Sequence, residues 1–157
     1  MNIKLLAVGK TDNKQLLQLM EDYQKRLSFC IKFELEILPD IKNAKSLSEA
    51  QQKEKEGELI LSKVGPGEAL ILLDENGKTY SSVGFSDFLQ KKMNAGLKTL
   101  VFVIGGPYGF SETVYQKAQG KVSLSSMTFS HQMVRLFFIE QLYRGFTILK
   151  GEPYHHQ

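Results

Sequence analysis

The sequence predicts an α/β fold with a mostly parallel sheet and helices on both faces, and three features carry that prediction. Two runs, Ala69-Leu-Ile-Leu-Leu73 and Val101-Phe-Val-Ile104, are apolar at every position. A strand without a polar face is buried on both sides, as happens when helices cover a parallel sheet. Segments with helical spacing of apolar residues alternate with extended runs along the whole chain, the pattern of βα units. The second apolar run passes into Gly105-Gly-Pro-Tyr-Gly109 and then Ser111-Glu112, which reads strand, turn, helix start. In an open α/β sheet, ligands sit outside the carboxyl ends of the strands. Glycine lacks a Cβ, so this turn suits a ligand lying on bare backbone, and it suits a tight connection without a ligand equally well. Neither the dinucleotide fingerprint nor the phosphate-loop pattern is present.

Taken in order, residues 2–8 form a first strand closed by Gly9, and Asp12 or Asn13 stands where a helix cap belongs. Leu16, Met20, Tyr23 and Leu27 recur at helical spacing and mark a core stripe. Residues 32–38 alternate, with Phe33, Leu35 and Ile37 opposite Lys32, Glu34 and Glu36, which predicts a half-buried strand ended by Pro39. Residues 40–45 read as a polar surface loop. Ser46 and Glu49 have capping-box spacing for a helix over residues 50–63, in which the mixed-sign run Lys53-Glu-Lys-Glu56 reads as a solvated face. Gly65-Pro-Gly67 breaks that helix, and the strand 69–73 closes at Asp74-Glu-Asn-Gly77, where Asn-Gly signals a turn. Ser86 is expected to cap a helix bearing Phe88, Leu89 and Met93 and stopping at Gly96.

Beyond the glycine turn, a short helix from Ser111 ends near Gly120, and residues 122–129 return to extended character. Their small hydroxyl side chains suit a polar ligand or a plain serine-rich loop. Ser130 is expected to cap a last helix over residues 131–149 that is apolar nearly all round. Such a helix must bury more than one face, beneath the sheet or against a second subunit. The tail closes with Pro153-Tyr-His-His-Gln157, aromatic and imidazole groups that are unusual for a freely fraying end.

A length of 157 residues without an internal repeat suits one domain spanning residues 1–157. No window approaches 18 consecutive apolar residues and no signal-peptide pattern opens the chain, so a cytoplasmic protein without a membrane segment is expected. The single cysteine, Cys30, excludes an intrachain disulfide and a cysteine-based zinc site. His155 and His156 lack a third ligand at matching spacing, so no metal is expected. A net charge of +3 permits a nucleic-acid partner without demanding one.

Four pieces stand in order: the strand over residues 70–74, the loop Ile104-Gly-Gly-Pro-Tyr-Gly109, the segment Leu124-Ser-Ser-Met-Thr-Phe129 with His131, and Leu142-Tyr-Arg144 followed by Pro153-Tyr-His155. Over essentially the whole chain, this order and spacing resembles the RlmH-type SPOUT methyltransferases. The resemblance implies a C-terminal trefoil knot and a homodimer. It also implies S-adenosyl-L-methionine as cofactor, and methylation of the ring N3 of a pseudouridine in 23S (large-subunit) ribosomal RNA, in the subunit or the assembled ribosome. Carried onto this chain, it implies cofactor contacts at Leu73, Gly105, Leu124, Ser125, Ser126, Met127, Thr128 and Phe129. It implies catalytic or RNA-facing roles for Arg144, Tyr154 and His155, with His156 where some relatives carry arginine. The residue types agree: apolar walls and backbone donors suit an adenosine, and an imidazole or guanidinium suits deprotonation of a base or stabilisation of its anion. A non-catalytic RNA-binding or ribosome-assembly module of the same fold also fits the composition. A doubly wound nucleotide-binding protein fits less well, because its motifs are missing.

Overall fold

Five strands make one sheet in the computed structural model, which describes residues 1–156. They are β1 (Asn2–Val8), β2 (Lys32–Leu38), β3 (Ala69–Thr79), β4 (Thr99–Ile104) and β5 (Gly120–Ser123). All pairings are parallel, and the spatial order is β2-β1-β4-β3-β5. Between and after them lie α1 (Lys14–Ser28), α2 (Glu49–Ser62), α3 (Ser82–Asn94), α4 (Glu112–Lys117) and α5 (Met133–Lys150).

The pleat explains why the central strands carry no polar face. Leu5, Ala7, Phe102 and Ile104 point to the side covered by α1, α3 and α5. Leu6, Val8, Val101 and Val103 point to the side covered by α2 and α4. On the first side, Phe102 and Phe138 are fully buried with ring centroids 4.7 Å apart, each such side chain contributing about 1.5–3 kcal/mol of transfer free energy. The apolar breadth of α5 is therefore used largely inside one chain, because the helix lies on the sheet and packs against both α1 and α3. β2 sits at the sheet edge, where Phe33 and Leu35 are half-buried and Ile37 is exposed, so the alternation marked a strand but overstated its burial.

Several local expectations shift once the partners are known. Asn13 caps α1, its side chain accepting from the Leu16 N–H at 3.0 Å. The capping box of α2 is Ser48 with Gln51, whereas Ser46 closes a short 3-10 turn over Ala44–Ser46. Glu56 is only 4% exposed, so the mixed-charge run is not wholly a solvated face. Ser81, not Ser86, caps α3. Ser86 is buried within that helix and donates to the Val83 carbonyl at 2.7 Å. Helix α5 starts at Met133, two residues later than expected, although the Ser130 hydroxyl accepts from the Met133 N–H at 3.0 Å.

The largest departure concerns Asp74-Glu-Asn-Gly77. No chain reversal occurs there: β3 leaves its ladder with β5 after Leu73 and rejoins it at Lys78, both residues facing Val122. The four intervening residues bulge outward at the carboxyl end of the sheet, with the Asp74 carboxylate accepting from the Asn76 N–H at 2.8 Å. Gly77 closes the bulge against backbone: a Cβ there would lie 2.7 Å from the main chain of Lys121 and Val122. Main chain cannot swing aside as a side chain can. Gly77→Ala should therefore cost about 1–3 kcal/mol in urea unfolding; a variant as stable as wild type would show that this contact relaxes freely.

Candidate active site

The bulge of β3 and the carboxyl ends of β4 and β5 open into a cleft of about 530 Å³, within the range that holds small ligands. Its walls come from Leu73 and the bulge, from the loop Gly105 to Gly109, and from the segment after β5. Seven of the eight expected cofactor residues line it: Leu73, Gly105, Leu124, Ser125, Met127, Thr128 and Phe129. Ser126 is exposed and outside the lining. The Ser125 hydroxyl accepts from the Met127 N–H at 2.9 Å, and the Ser123 hydroxyl donates to the Ser125 carbonyl at 3.0 Å, which folds the hydroxyl-rich segment back on itself.

Gly105 and Gly106 serve the chain's own packing. A Cβ on Gly105 would press on the Phe110 ring at 3.1 Å, and one on Gly106 would meet the buried Glu56 carboxylate at 2.4–2.8 Å. The loop thus rests on α2 through Glu56, itself held by Gln52 at 3.0 Å. The cleft also contains charges that the sequence reading did not assign to it, Asp74 and Glu75, and no lysine or arginine among the described residues lining it. The Tyr115 hydroxyl donates to Asp74 at 2.5 Å, and burial followed by this bond pushes the phenol up to about 12.

The segment between β5 and α5 is anchored by Arg135, a residue the sequence reading passed over. Its guanidinium is fully buried, and its nitrogens donate to the carbonyls of Gly9 (2.7 Å), Val8 (2.8 Å) and His131 (3.0 Å). Burial lowers its pKa, opposed by the charges of Asp12 and Asp40. Beside it, Gln132 bonds both Lys10 and Asp12, so the first turn of α5 is stitched to the loop after β1.

Arg144, Tyr154 and His155 gather elsewhere, near the far end of α5. The Arg144 guanidinium lies 2.5 Å from Glu140, 3.2 Å from His155 Nδ1 and over the Tyr154 ring at 4.7 Å. Tyr154 donates to Glu140 at 2.9 Å, approaches the Tyr23 hydroxyl at 3.1 Å and packs edge-on against Tyr143. Its pKa is raised, first by burial and then by these bonds, while Glu140 holds Arg144 firmly charged. Because Arg144 can only donate, His155 Nδ1 accepts, and the neutral ring carries its proton on Nε2. The docked imidazole therefore offers a donor rather than a lone pair. None of the three lines the cleft. Val134, which does, precedes Arg144 by ten helical residues, about 15 Å along the axis.

The cleft's mixture of apolar walls, hydroxyls and acidic groups fits S-adenosylmethionine, which combines a flat apolar base, a ribose and a cationic sulfonium. Among the described residues, no cluster of three His, Cys, Asp or Glu side chains is placed to hold a metal. No helix among them is long and apolar enough to cross a membrane. Replacing the anchor tests how the site is built. Arg135→Met takes the side-chain donor from the buried carbonyls of Val8 and Gly9 and from the part-buried carbonyl of His131 and should cost about 3 kcal/mol in urea unfolding, with Arg135→Lys recovering only part because one ammonium cannot span them. Wild-type stability of the Met variant would count against this anchoring.

A family model described as predicted SPOUT methyltransferase matches residues 1–155. Curated relatives called ribosomal RNA large subunit methyltransferase H are similar over the full length of both chains: one from Flavobacterium johnsoniae at 81% identity, one from Flavobacterium psychrophilum at 79% and one from Christiangramia forsetii at 65%. With its parallel sheet, its cleft at the strand ends and this full-length match, the chain belongs to the SPOUT methyltransferase family.

Proposed function

We propose that this methyltransferase acts on large-subunit ribosomal RNA, methylating the ring N3 of a pseudouridine, as a cytoplasmic homodimer whose substrate is the subunit or assembled ribosome. Residues 1–157 are read as one domain, its C-terminal part threaded as the trefoil that the family implies. The observation that carries the reading is the cleft at the bulge of β3 and the ends of β4 and β5, lined by seven residues expected to touch S-adenosylmethionine. When bound, that cofactor supplies an electrophilic methyl group on sulfonium for in-line transfer to nitrogen.

The protein's contribution is positioning and charge. Leu73, Leu124 and Val134 offer apolar walls, and Ser125 and Thr128 offer hydroxyls, a set that orients an adenosine without strong bonds. For the acceptor, N3 must shed its proton, which passes to solvent water, and the resulting charge spreads onto the flanking carbonyl oxygens. Arg144, kept cationic by Glu140, and His155, with its Nε2–H, are both donors suited to those oxygens. This favours anion stabilisation over proton abstraction by the imidazole. Tyr154, with Arg144 over its ring and its hydroxyl held by Glu140, orients the guanidinium more readily than it stacks on a base.

One chain keeps the cleft and the tail about 15 Å apart along α5. That separation supports the homodimer, in which a second subunit supplies its tail across a two-fold axis, as do the exposed side chains Met127 (76%), Met133 (41%) and Phe137 (39%). Arg144→Ala should lower kcat about 10²–10³-fold while calorimetry finds cofactor affinity unchanged. Mixing Ser125→Trp, which fills the cleft, with a chain lacking residues 153–157 should restore roughly one quarter of wild-type methyl transfer, because half the dimers then hold one complete site. Mixtures that stay inactive although subunits exchange would show that each chain uses its own tail.

A further inference from the structure

We propose that Asp74 is the residue by which the cleft tells the methyl donor from the spent product, with Tyr115 as its positioning residue; this rests on the cofactor reading above. The chain carries a net charge of +3, yet its cleft is lined by Asp74 and Glu75 and by no described lysine or arginine. The sign of the pocket is opposite to that of the protein.

Asp74 is held where that sign acts. It follows Leu73 directly, at the point where β3 leaves its ladder and the bulge turns toward the cleft. One carboxylate oxygen takes the Tyr115 hydroxyl proton at 2.5 Å and the other takes the Asn76 N–H at 2.8 Å. Tyr115 in turn is fixed on α4, edge-on to Phe110 at 5.8 Å and beneath the Lys121 ammonium at 5.5 Å. The phenol, pushed up to about 12, remains a donor throughout the working range of pH. Each carboxylate oxygen still has a lone pair to turn toward a ligand. Glu75, by contrast, is exposed, and among the described residues no hydrogen bond or ion pair holds it.

S-adenosylmethionine and S-adenosylhomocysteine share the adenosine and the amino-acid end, and differ by one methyl and one positive charge at sulfur. Apolar walls and hydroxyls barely distinguish them. A fixed carboxylate does, because its attraction for the donor disappears when the methyl leaves, which favours loading and helps release. Such discrimination is coulombic and weakens with salt.

Calorimetry on the full chain with S-adenosylmethionine and S-adenosylhomocysteine tests this, at low and at physiological ionic strength. Asp74→Asn should weaken donor binding about tenfold and product binding less than about twofold, collapsing the wild-type preference. Tyr115→Phe should shift the ratio the same way by a smaller factor, and added salt should shrink the wild-type ratio. Equal losses for both ligands, or an unchanged ratio, would overturn the proposal and leave the cofactor reading standing. If wild type binds neither ligand, the cofactor reading itself fails and takes this proposal with it. Should Asp74→Asn not fold, as judged by its melting curve, Tyr115→Phe and the salt series decide the question.

Discussion

A guanidinium with no water around it is the constraint on which this structure depends. Arg135, in the first turn of α5, supplies donors to the carbonyls of Val8 and Gly9 at the end of β1 and to the His131 carbonyl just before the helix. An ion taken so far from solvent is tolerable only when its hydrogens are all well directed, and removing one side leaves the other exposed to a dry interior. The end of β1 and the C-terminal helix are thereby locked in one relative position. Everything at the carboxyl end of the sheet inherits that position: the segment leaving β5, the rim of the cleft, and the start of the helix whose far end carries the tail. Arginine suits the task because its rigid fork reaches several oxygens at once.

The sequence was most informative where local pattern and global burial agree. The bounds of β4 follow from a run whose side chains nearly all have an apolar place to go, those of β2 from the alternation of its faces, and the cleft's residues were found because glycine, proline and hydroxyl runs follow β4 and β5. It misled where the deciding partner is distant in the chain. Asp74-Glu-Asn-Gly77 has turn chemistry, but β5, more than forty residues on, captures the strand again beyond it. Glu56 looked solvated in its own helix and is buried by a glycine loop fifty residues away. Ser86 has the right chemistry for a cap, and Ser81 was better placed to serve. Arg135 lay inside an apolar stretch, and nothing local announces that two carbonyls from the end of β1 will meet it.

The site divides into two kinds of chemistry. At the strand ends, the surroundings are apolar and hydroxylic with acidic charge; at the end of α5, a guanidinium, an imidazole and two phenols form one hydrogen-bonded group with Glu140. A cationic small molecule and a polyanionic substrate need opposite fields, and a single concave surface would serve one at the expense of the other. Placing them at opposite ends of a stiff helix keeps the two fields apart within one chain.

The bulge in β3 has a consequence for how such a pocket can diversify. The ladder with β5 resumes at Lys78 in parallel register after the excursion, so no strand downstream needs to slide when the excursion changes. Residues 74–76 are carried by the sheet without contributing to it, while Gly77 fixes the place where they must return. Substitution within those three positions changes the lining of the cleft without shifting the register of the sheet. Selection on ligand preference and selection on foldability thus act on adjacent residues with little interference.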